Sequence, residues 1–520
     1  MTSNISISYS LILIITIPMI VGLTIAFEIF HMSGVSWVPF KLAHGESAGL
    51  TNTSTTGERP TMNEEKIKTT VVVEGLKHPT SMTFLGPDDF LVLEKRSGIV
   101  KRVVNGNILN TPVLDVNVAN EKERGMLGVA SSIHNYVSQD AAQNLIGERL
   151  ARNLTYVFLF FTESSGKEGN DDCPFINYCK IGTEPLGNRL YRYEYRNGSL
   201  NNPKLLLDLP ANPGSDHLGG AILVGPDHNV YVTTGDGDSC SYNSCDNGIE
   251  STVLNSQSAN VKKGEVPNGR GGILRVTQNG STVTGNGDGG ILSKDGILGK
   301  YYAYGIRNSY GIDFDPISGK LWDTENGPSF GDEINLVEPG FNSGWLKVQG
   351  IWSIHNRTQL YPQGVVPPYR GYFEGIYNKI TNDNIIDLSD LVDFQGRGKY
   401  SDPEFIWNMT VGVTAIKFFH SDKLGEEYRD DLFVADSNLG NIYHFDLNTN
   451  RTELEFHGAI VDRMVHSLER AELDPILFGQ GFGSVTDLEV GPDGYLYVVS
   501  YNKGKIFKIV PDDDSAEQRN

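Results

Sequence analysis

A short unit of turns and strands recurs along this 520-residue chain. Each copy has a Gly/Asp/Pro turn, a strand, a second turn, and a return strand that ends in basic or aromatic residues. Most return strands alternate apolar and polar residues, as half-buried strands do. The six clearest return strands are Ser97–Val103, Gly187–Tyr193, Gly271–Val276, Asp332–Val337, Gly440–Phe445 and Gly504–Ile509.

The repeat predicts an all-β fold, and radial repetition of six units predicts a six-bladed β-propeller rather than a pair of β-sandwiches. The 58 glycines suit a fold with many tight turns. Three long polar segments, near 163–182, 238–268 and 349–402, interrupt the units and are predicted to be loops, which at this length usually carry function or are disordered.

The first residues indicate a membrane anchor. Ile5 to Phe27 form an apolar run without charge, long enough to span a bilayer. No Lys or Arg precedes the run and no small-residue cleavage site follows, which favours an uncleaved anchor over a cleaved signal peptide. The predicted domains are an anchor or signal segment at 1–30, a flexible linker at 31–65, the propeller at 66–511 and an acidic tail at 512–520.

Other features indicate an extracytoplasmic body. The cysteines form two close pairs, Cys173 with Cys179 and Cys240 with Cys245. Their spacing is looser than Cys-x2-Cys, so local disulfides are favoured over a four-thiolate zinc site. A net charge of −21 argues against nucleic acid as a partner. Glycosylation sequons begin at Asn52, Asn153, Asn197, Asn279, Asn356, Asn408 and Asn450.

Two short motifs carry groups suited to proton and charge chemistry. His217 follows Asp216 at a predicted loop-to-strand junction, where an imidazole can take a proton and a carboxylate can orient it. The alternative is a turn histidine beside a capping acid. Arg307 and Asn308 follow a strand, and the guanidinium can stabilise a developing oxyanion. The alternative for Arg307 is an ion pair at a blade edge.

A third motif offers oxygen ligands for a hard cation. Asn326, Gly327 and Pro328 form a turn with exposed carbonyls, and Asp332 and Glu333 follow closely. Carbonyl and carboxylate oxygens are the ligands that calcium prefers, although the spacing is not that of an EF-hand. The alternative is a solvated acidic turn.

The sequence resembles the soluble quinoprotein glucose/sorbosone dehydrogenases, which include the aldose sugar dehydrogenases. The resemblance runs in order from about residue 70 to 510 and is most specific at 304–345. It rests on Tyr304–Pro316 (YGIRNSYGIDFDP) and on Glu325–Trp345 with its ENGP and GDEINLVEPGFNSGW motifs. It also rests on His217–Gly220 (HLGG) with Gly225–Asp227 (GPD) and Thr234–Asp236 (TGD) after it, on Gly125–Gly128 (GMLG), and on His78–Pro79.

The resemblance implies a six-bladed propeller that oxidises aldose sugars with pyrroloquinoline quinone (PQQ) bound on its central face. His217 matches the general base, which takes the proton of the anomeric hydroxyl as hydride moves to the quinone. Asp216 matches the acid beside that histidine. Arg307 and Asn308 match the pair that contacts the quinone oxygen.

The resemblance also implies calcium. The carbonyls of Gly327 and Pro328 match ligands of the calcium that holds the cofactor, and Glu333 matches a ligand of a second, structural calcium. Glu123 lies where the family has Gln or Glu near the cofactor.

Four positions depart from the family pattern. Ser484, Thr486, Asn438 and Ala221 stand where the family usually has Arg or Lys. PQQ carries three carboxylates, and each lost charge-assisted partner weakens binding by about 1.5–3 kcal/mol. The cations considered as replacements are Lys503, Arg463 and Arg470.

These observations lead to three hypotheses. The first is a membrane-tethered, outward-facing, PQQ- and calcium-dependent sugar dehydrogenase that passes electrons to an external acceptor. The second is a propeller that has lost PQQ and binds a glycan or protein partner. The third is a calcium-dependent lactone hydrolase.

Overall fold

The computed structural model describes residues 59–133, 155–165, 184–212, 214–237, 256–260, 266–284, 289–328, 331–351 and 388–512. The predicted anchor at 1–30, the four cysteines, most of the three predicted loops and residues 513–520 lie outside the described residues. Among those that are described, no helix is both long and apolar enough to cross a membrane.

Strands dominate the described chain and form six sheets, numbered here in the chain order of their inner strands, the strand named first for each sheet below. Sheet 1 contains Pro79–Gly86, Asp89–Glu94, Ile99–Val104, Asn107–Ile108 and Leu114–Asp115. Sheet 2 contains Met126–Ile133, Thr155–Ser164, Pro185–Arg196 and Ser199–Leu209. Sheet 3 contains Ile222–Val224, Val230–Thr234, Gly272–Val276, Tyr301–Tyr304, Phe341–Asn342 and Lys399–Tyr400.

The second half of the chain supplies the remaining sheets. Sheet 4 contains Ser309–Phe314, Leu321–Glu325, Asp332–Val337, Phe405–Trp407 and Met464–Val465. Sheet 5 contains Val413–Phe419, Asp431–Asp436, Ile442–Phe445, Leu477–Gln480 and Thr61–Met62. Sheet 6 contains Val485–Val490, Leu496–Ser500, Lys505–Pro511 and Ile67–Glu74. Among the described residues, helical structure is limited to Arg470–Leu473 and the 3-10 turns Leu298–Lys300, Leu388–Asp390, Glu426–Tyr428 and Gly458–Ile460.

The sheets follow one another in a ring. The first strand of each sheet, its inner strand, contacts the inner strand of the next sheet, and that of sheet 6 contacts that of sheet 1. A separate apolar cluster fills each of the six gaps, for example around Phe158 and Val232 between sheets 2 and 3. Apolar burial on both faces of each sheet holds the ring together. The predicted all-β, propeller-like fold is confirmed.

The first long strand of the body completes the last sheet. Ile67–Glu74 pairs antiparallel with Lys505–Pro511, so the two ends of the described body meet in sheet 6. The predicted linker to residue 65 is too long, because Thr61 and Met62 already pair with Gln480 and Gly479 of sheet 5.

Each predicted return strand falls in the third strand of a different sheet. The alternation that made these strands visible in the sequence arises because a third strand packs against a neighbouring sheet without being buried along its whole length. Ile99–Val104 shows this, since Val100 and Val103 are fully buried while Lys101 and Arg102 are half-buried.

Candidate functional site

A polar cavity of about 470 Å³ opens where the inner strands begin. Every sheet contributes at least one lining residue, either from its inner strand or from the segment just before it. One lining residue for each of sheets 1 to 6 is Thr80, Glu123, His217, Arg307, Thr414 and Thr486. The cavity therefore lies at the centre of the ring and gathers side chains that are far apart in sequence.

Three buried side chains form a hydrogen-bonded series at this cavity. Arg307 Nη2 lies 2.7 Å from His217 Nε2, and His217 Nδ1 lies 2.8 Å from Asp236 Oδ1. A guanidinium can only donate, so Nε2 is the accepting nitrogen and the imidazole proton resides on Nδ1, where it is donated to Asp236. The series leaves His217 with its basic nitrogen next to the cavity.

Asp236 is held as an ionised carboxylate. It is fully buried, and its Oδ2 also accepts from Ser256 Oγ at 2.6 Å and from Trp345 Nε1 at 2.7 Å. Burial opposes ionisation, but the imidazole of His217 and the other donors outweigh it and hold the pKa of Asp236 below its usual range. An acceptor surrounded by three donors fixes the ring orientation of His217.

The backbone explains the glycines around His217. His217 itself has a φ of 53°, a conformation that turns its side chain away from the preceding residue. A Cβ on Gly235 would lie 2.2 Å from the His217 carbonyl oxygen, so only glycine allows the strand that carries Asp236 to approach so closely. The two segments can then align Asp236 beneath the imidazole.

The sequence predicted Asp216 as the carboxylate that orients His217, but in the structure Asp236 takes this position. Asp216 points elsewhere, and its Oδ2 forms an ion pair with the ammonium of Lys122. The positive φ at His217 separates the two neighbouring side chains. Asp236 lies in the Thr-Gly-Asp segment that follows the second strand of sheet 3, and its spacing from His217 gave no local signal.

Arg307 is buried and fixed at several points. Its Nη1 donates to the carbonyls of Asn326 at 2.9 Å and Gly327 at 3.0 Å, and its backbone N–H donates to Glu325 Oε1 at 2.6 Å. The guanidinium lies 5.5 Å from the centre of the Trp345 ring. Among the described residues, Arg307 Nε has no hydrogen-bond partner although it is buried. A buried unpaired donor beside a polar cavity suits a ligand that supplies an acceptor.

Asn308 supports the same wall of the cavity. Its Oδ1 accepts from the backbone N–H of Gly219 at 3.0 Å, which fixes the amide and links the segment before sheet 4 to the glycines after His217. Both Asn308 and Arg307 line the cavity, as the sequence predicted.

The predicted ligands of the cofactor calcium are only partly at the cavity. Gly327 lines it, whereas Pro328 does not belong to its lining. Asp332 also lines the cavity and accepts from the backbone N–H of Gly327 at 2.9 Å and of Gly412 at 2.7 Å. Burial raises the pKa of Asp332 to about 6. The Gly327 carbonyl and the Asp332 carboxylate are oxygen atoms of the kind that calcium prefers. In this structure the Gly327 carbonyl accepts from Arg307 and the Asp332 oxygens accept from backbone N–H groups.

Glu333 lies behind the cavity wall in a buried acidic cluster. Its Oε1 accepts from Gln349 Nε2 at 2.8 Å and from the Gly350 backbone N–H at 2.6 Å. Glu325 and Asp323 lie in the neighbouring strand, and both are fully buried. Burial raises the pKa of Glu333 to about 8 and that of Asp323 to about 7. The predicted role of Glu333 as a ligand of a second calcium stays a prediction.

Glu123 is at the cavity, and its Oε2 accepts from the Leu218 backbone N–H at 3.3 Å. Three of the four positions that depart from the family pattern, Asn438, Ser484 and Thr486, also line it, whereas Ala221 does not. The suggested replacement cations do not: Lys503, Arg463 and Arg470 are absent from the lining. Two cations that the sequence reasoning missed, Lys95 and Lys122, do line it.

The comparisons with known proteins agree with this geometry. The model of the glucose/sorbosone dehydrogenase family matches residues 76–357, more than half of the chain. An aldose sugar dehydrogenase of Escherichia coli is 22% identical over 445 residues, which are 85% of this chain and 92% of that protein. Quinoprotein glucose dehydrogenase B of Acinetobacter calcoaceticus is 27% identical over 287 residues, 54% of this chain and 52% of that protein.

Solved structures show that the fold is shared. The soluble aldose sugar dehydrogenase of Escherichia coli in its apo-form gives a TM-score of 0.54 at 19% identity and covers 86% of this chain and 100% of its own. The PQQ-bound form of aldose sugar dehydrogenase from Streptomyces coelicolor gives a TM-score of 0.50 at 19% identity and covers 86% and 99%.

Proposed function

Because this chain belongs to the glucose/sorbosone dehydrogenase family, we propose that it oxidises aldose sugars with PQQ as cofactor and calcium as the ion that holds it. The observation that carries the proposal is the series Asp236–His217–Arg307 at the central cavity. When bound, PQQ supplies a two-electron acceptor for the anomeric carbon of the sugar. The residues of the chain then have to bind the sugar, move one proton and stabilise charge.

His217 is the proposed general base. Its Nε2 carries the lone pair, and Asp236 stabilises the imidazolium that forms when this nitrogen takes the hydroxyl proton. A substrate hydroxyl would replace the guanidinium of Arg307 at Nε2. Because both groups are buried, their hydrogen bonds are little weakened by solvent.

Arg307 and Asn308 are the proposed electrostatic groups. Once its contact with His217 Nε2 is replaced, Arg307 has a free Nη2 donor in addition to its unpaired Nε, and both face a site where negative charge develops. The Asn308 amide, fixed through Gly219, is the second donor at this wall. Calcium would be held by the Gly327 carbonyl with Asp332 beside it, and Pro328 remains a proposed ligand.

We also propose that the six sheets are the six blades of a closed propeller. The ring of contacts between inner strands and the pairing of Ile67–Glu74 with the last sheet support this. The cavity would then lie on the propeller axis, where all blades can contribute to it.

The proposed location is the extracytoplasmic side of a membrane, with residues 1–30 as anchor and an external electron acceptor. Asn197, Asn279 and Asn450, each the first residue of a sequon, are exposed on the described body, which supports this orientation. Protease added to intact cells should degrade the body; a body that is protected until the cells are lysed would contradict the orientation.

The test of function uses the full-length chain with PQQ and calcium. We expect PQQ binding by calorimetry and sugar-dependent reduction of an artificial dye. His217→Ala should lower turnover by at least about 100-fold while PQQ still binds, because only proton transfer is removed. The control His457→Ala changes an exposed histidine away from the cavity and should keep full activity. Absence of PQQ binding at high micromolar concentration would contradict the proposal.

One observation favours the second hypothesis, a propeller without PQQ. The cavity wall at Asn438, Ser484 and Thr486 is neutral, and hydroxyl and amide groups suit a glycan as well as a cofactor. Binding of free sugars in the same calorimeter, without PQQ and without dye reduction, would support that alternative.

A further inference from the structure

The cavity has two sides of different character. One side carries neutral polar groups from Ser437, Asn438, Ser484 and Thr486, and the Asp332 carboxylate lies beside it at the Gly412 backbone. The other side carries three cations among the described residues, namely Lys95, Lys122 and Arg307. An anionic ligand in this cavity would therefore meet its cationic partners on the side of sheets 1, 2 and 4.

Lys95 is the cation whose position most needs an explanation. It is only 6% exposed, and its ammonium donates to the carbonyls of Lys122 at 2.5 Å and Arg124 at 2.7 Å. Those two bonds use two of its three N–H donors. Among the described residues, Lys95 forms no ion pair with a carboxylate. Burial lowers the pKa of Lys95 to about 8, and the positive charge of Arg96 acts in the same direction, while the nearby carboxylates of Glu123 and Asp216 oppose the shift without cancelling it.

The other two cations are already engaged. Lys122 forms an ion pair with Asp216, and Arg307 donates to His217 and to two backbone carbonyls. Arg307 also has an unpaired donor, Nε, which the proposed function assigns to the reacting end of the cavity. Lys95 is the other cavity cation with a remaining N–H donor, and its ammonium has no direct carboxylate contact among the described residues. Its two carbonyl contacts hold the ammonium in place, so little side-chain entropy is lost when an anion binds.

Lys95 also lies beside one of the positions where the family pattern has a cation. The Lys95 backbone N–H donates to the His78 carbonyl at 3.1 Å. The Thr486 hydroxyl donates to the carbonyl of Pro79, the next residue, at 3.1 Å. The Lys95 backbone and the Thr486 side chain therefore bond two consecutive residues at the start of sheet 1, and both residues line the cavity.

We propose that Lys95 forms a carboxylate-binding subsite in the central cavity and binds a carboxylate of the cofactor in place of a cation at Thr486. The inference rests on the proposed function, because it takes PQQ as the ligand. The cationic partner of that carboxylate would then lie next to sheet 1 and not in sheet 6, while Arg307 would still contact the quinone end of the cofactor.

The first test compares PQQ with its trimethyl ester, which has the same rings and no carboxylate charge. Both are titrated by calorimetry into the full-length chain with calcium. Lys95→Met should weaken PQQ binding by roughly 10- to 100-fold, the loss expected for one charge-assisted hydrogen bond, and change ester binding by less than about threefold. The control Lys423→Met removes an exposed lysine away from the cavity and should leave both affinities unchanged.

The second test uses pH and needs no destabilising variant. PQQ affinity of the unmodified chain should be constant between about pH 7 and 8, where Asp332 is already ionised, and fall by up to about tenfold per pH unit above pH 8, as Lys95 loses its proton. Lys95→Arg keeps its charge at any of these pH values, so its PQQ affinity should not fall. A purely structural lysine would give neither result.

The outcomes separate this inference from the function. If the unmodified chain does not bind PQQ, both are overturned. If it binds PQQ and reduces dye, but its affinity is independent of pH and Lys95→Arg behaves identically, only the subsite is overturned. Should Lys95→Met fail to fold, the pH profiles of the unmodified chain and of Lys95→Arg decide alone.

Discussion

Replacing Asp236 by asparagine tests whether Asp236, and not the sequence neighbour Asp216, is the carboxylate that orients His217. The amide has the shape of the carboxylate but lacks its charge, and one of its two heteroatoms donates. Asp236 now accepts from three donors, His217 Nδ1, Ser256 Oγ and Trp345 Nε1. An asparagine can keep its oxygen toward only one side of this set.

Either orientation of the amide has a calculable cost. With the oxygen toward Ser256 and Trp345, the amide N–H₂ faces His217 and drives the imidazole proton to Nε2, which removes the basic lone pair. With the oxygen toward His217, the indole N–H of Trp345 loses its acceptor, at about 1–3 kcal/mol for a buried donor. In both cases the imidazolium loses its counter-charge. We expect turnover to fall by roughly 10²- to 10⁴-fold.

The assay is sugar-dependent dye reduction by the full-length chain with PQQ and calcium. PQQ affinity should change by less than about threefold, because Asp236 does not line the cavity. Asp216→Asn is the paired variant: its carboxylate contacts Lys122, and we expect turnover within about tenfold of the unmodified chain. Near-normal turnover in Asp236→Asn together with a collapse in Asp216→Asn would refute the assignment of the orienting acid.

Two further predictions concern stability. Burial raises the folded-state pKa of Asp323 to about 7, so its stabilising contribution is present below the unfolded pKa near 4 and lost as pH rises through 7. In urea melts with a chelator, Asp323→Asn should therefore raise the free energy of unfolding by on the order of 1–3 kcal/mol at pH 8 and change it little at pH 4. Equal effects at both pH values would contradict this. A Cβ on Gly128 would lie 2.0 Å from the Gly220 carbonyl oxygen, so Gly128→Ala should lower the free energy of unfolding by about 1–3 kcal/mol, whereas Gly86→Ala, with no atom within 4 Å, should change it by less than about 0.5 kcal/mol.

The strands that could be predicted from the sequence are those in which apolar and polar residues alternate regularly. The third strand of each sheet combines buried and half-buried positions and was found in all six cases. Two-residue strands such as Phe341–Asn342 and Met464–Val465 were missed, because two residues are too few to show an alternation of apolar and polar positions. Thr61–Met62 was missed for the same reason, and its polar surroundings made it resemble a linker.

The parts of the candidate site that could be predicted from the sequence are those in which several charged or amide residues and turn glycines occur in one short motif. His217, Arg307, Asn308 and Gly327 were predicted to act together, and the structure brings them to one cavity. Lys95 was missed because a lysine at the end of a strand, before a turn, looks like an ordinary solvent-exposed residue. Only the tertiary fold shows that this turn faces the ring centre.

Asp236 was missed because adjacency in sequence was taken as adjacency in space. The positive φ of His217 separates it from Asp216, and the contact with Asp236 depends on a close approach at Gly235. A glycine immediately before an acid, at the end of a buried strand, is the signal that could have indicated it.

The two sides of the cavity are built by different sheets, and this explains how one could change without the other. Asp236 and Arg307 are fixed by Ser256, Trp345 and Glu325, all within or next to sheets 3 and 4. On the neutral side, the Thr486 hydroxyl bonds a backbone carbonyl of sheet 1, and the Ser484 backbone N–H bonds Asn502.

The neutral side chains at 484 and 486 therefore leave no gap in the hydrogen bonding of the fold and do not disturb the partners of His217. Substitutions there change the free energy of binding an anion while the folded state tolerates them. Under the proposed function, the proton-transferring groups and the groups that set cofactor affinity are therefore expected to be separable: changes in the series Asp236–His217–Arg307 should alter turnover, and changes at Lys95 should alter how tightly the cavity holds a carboxylate.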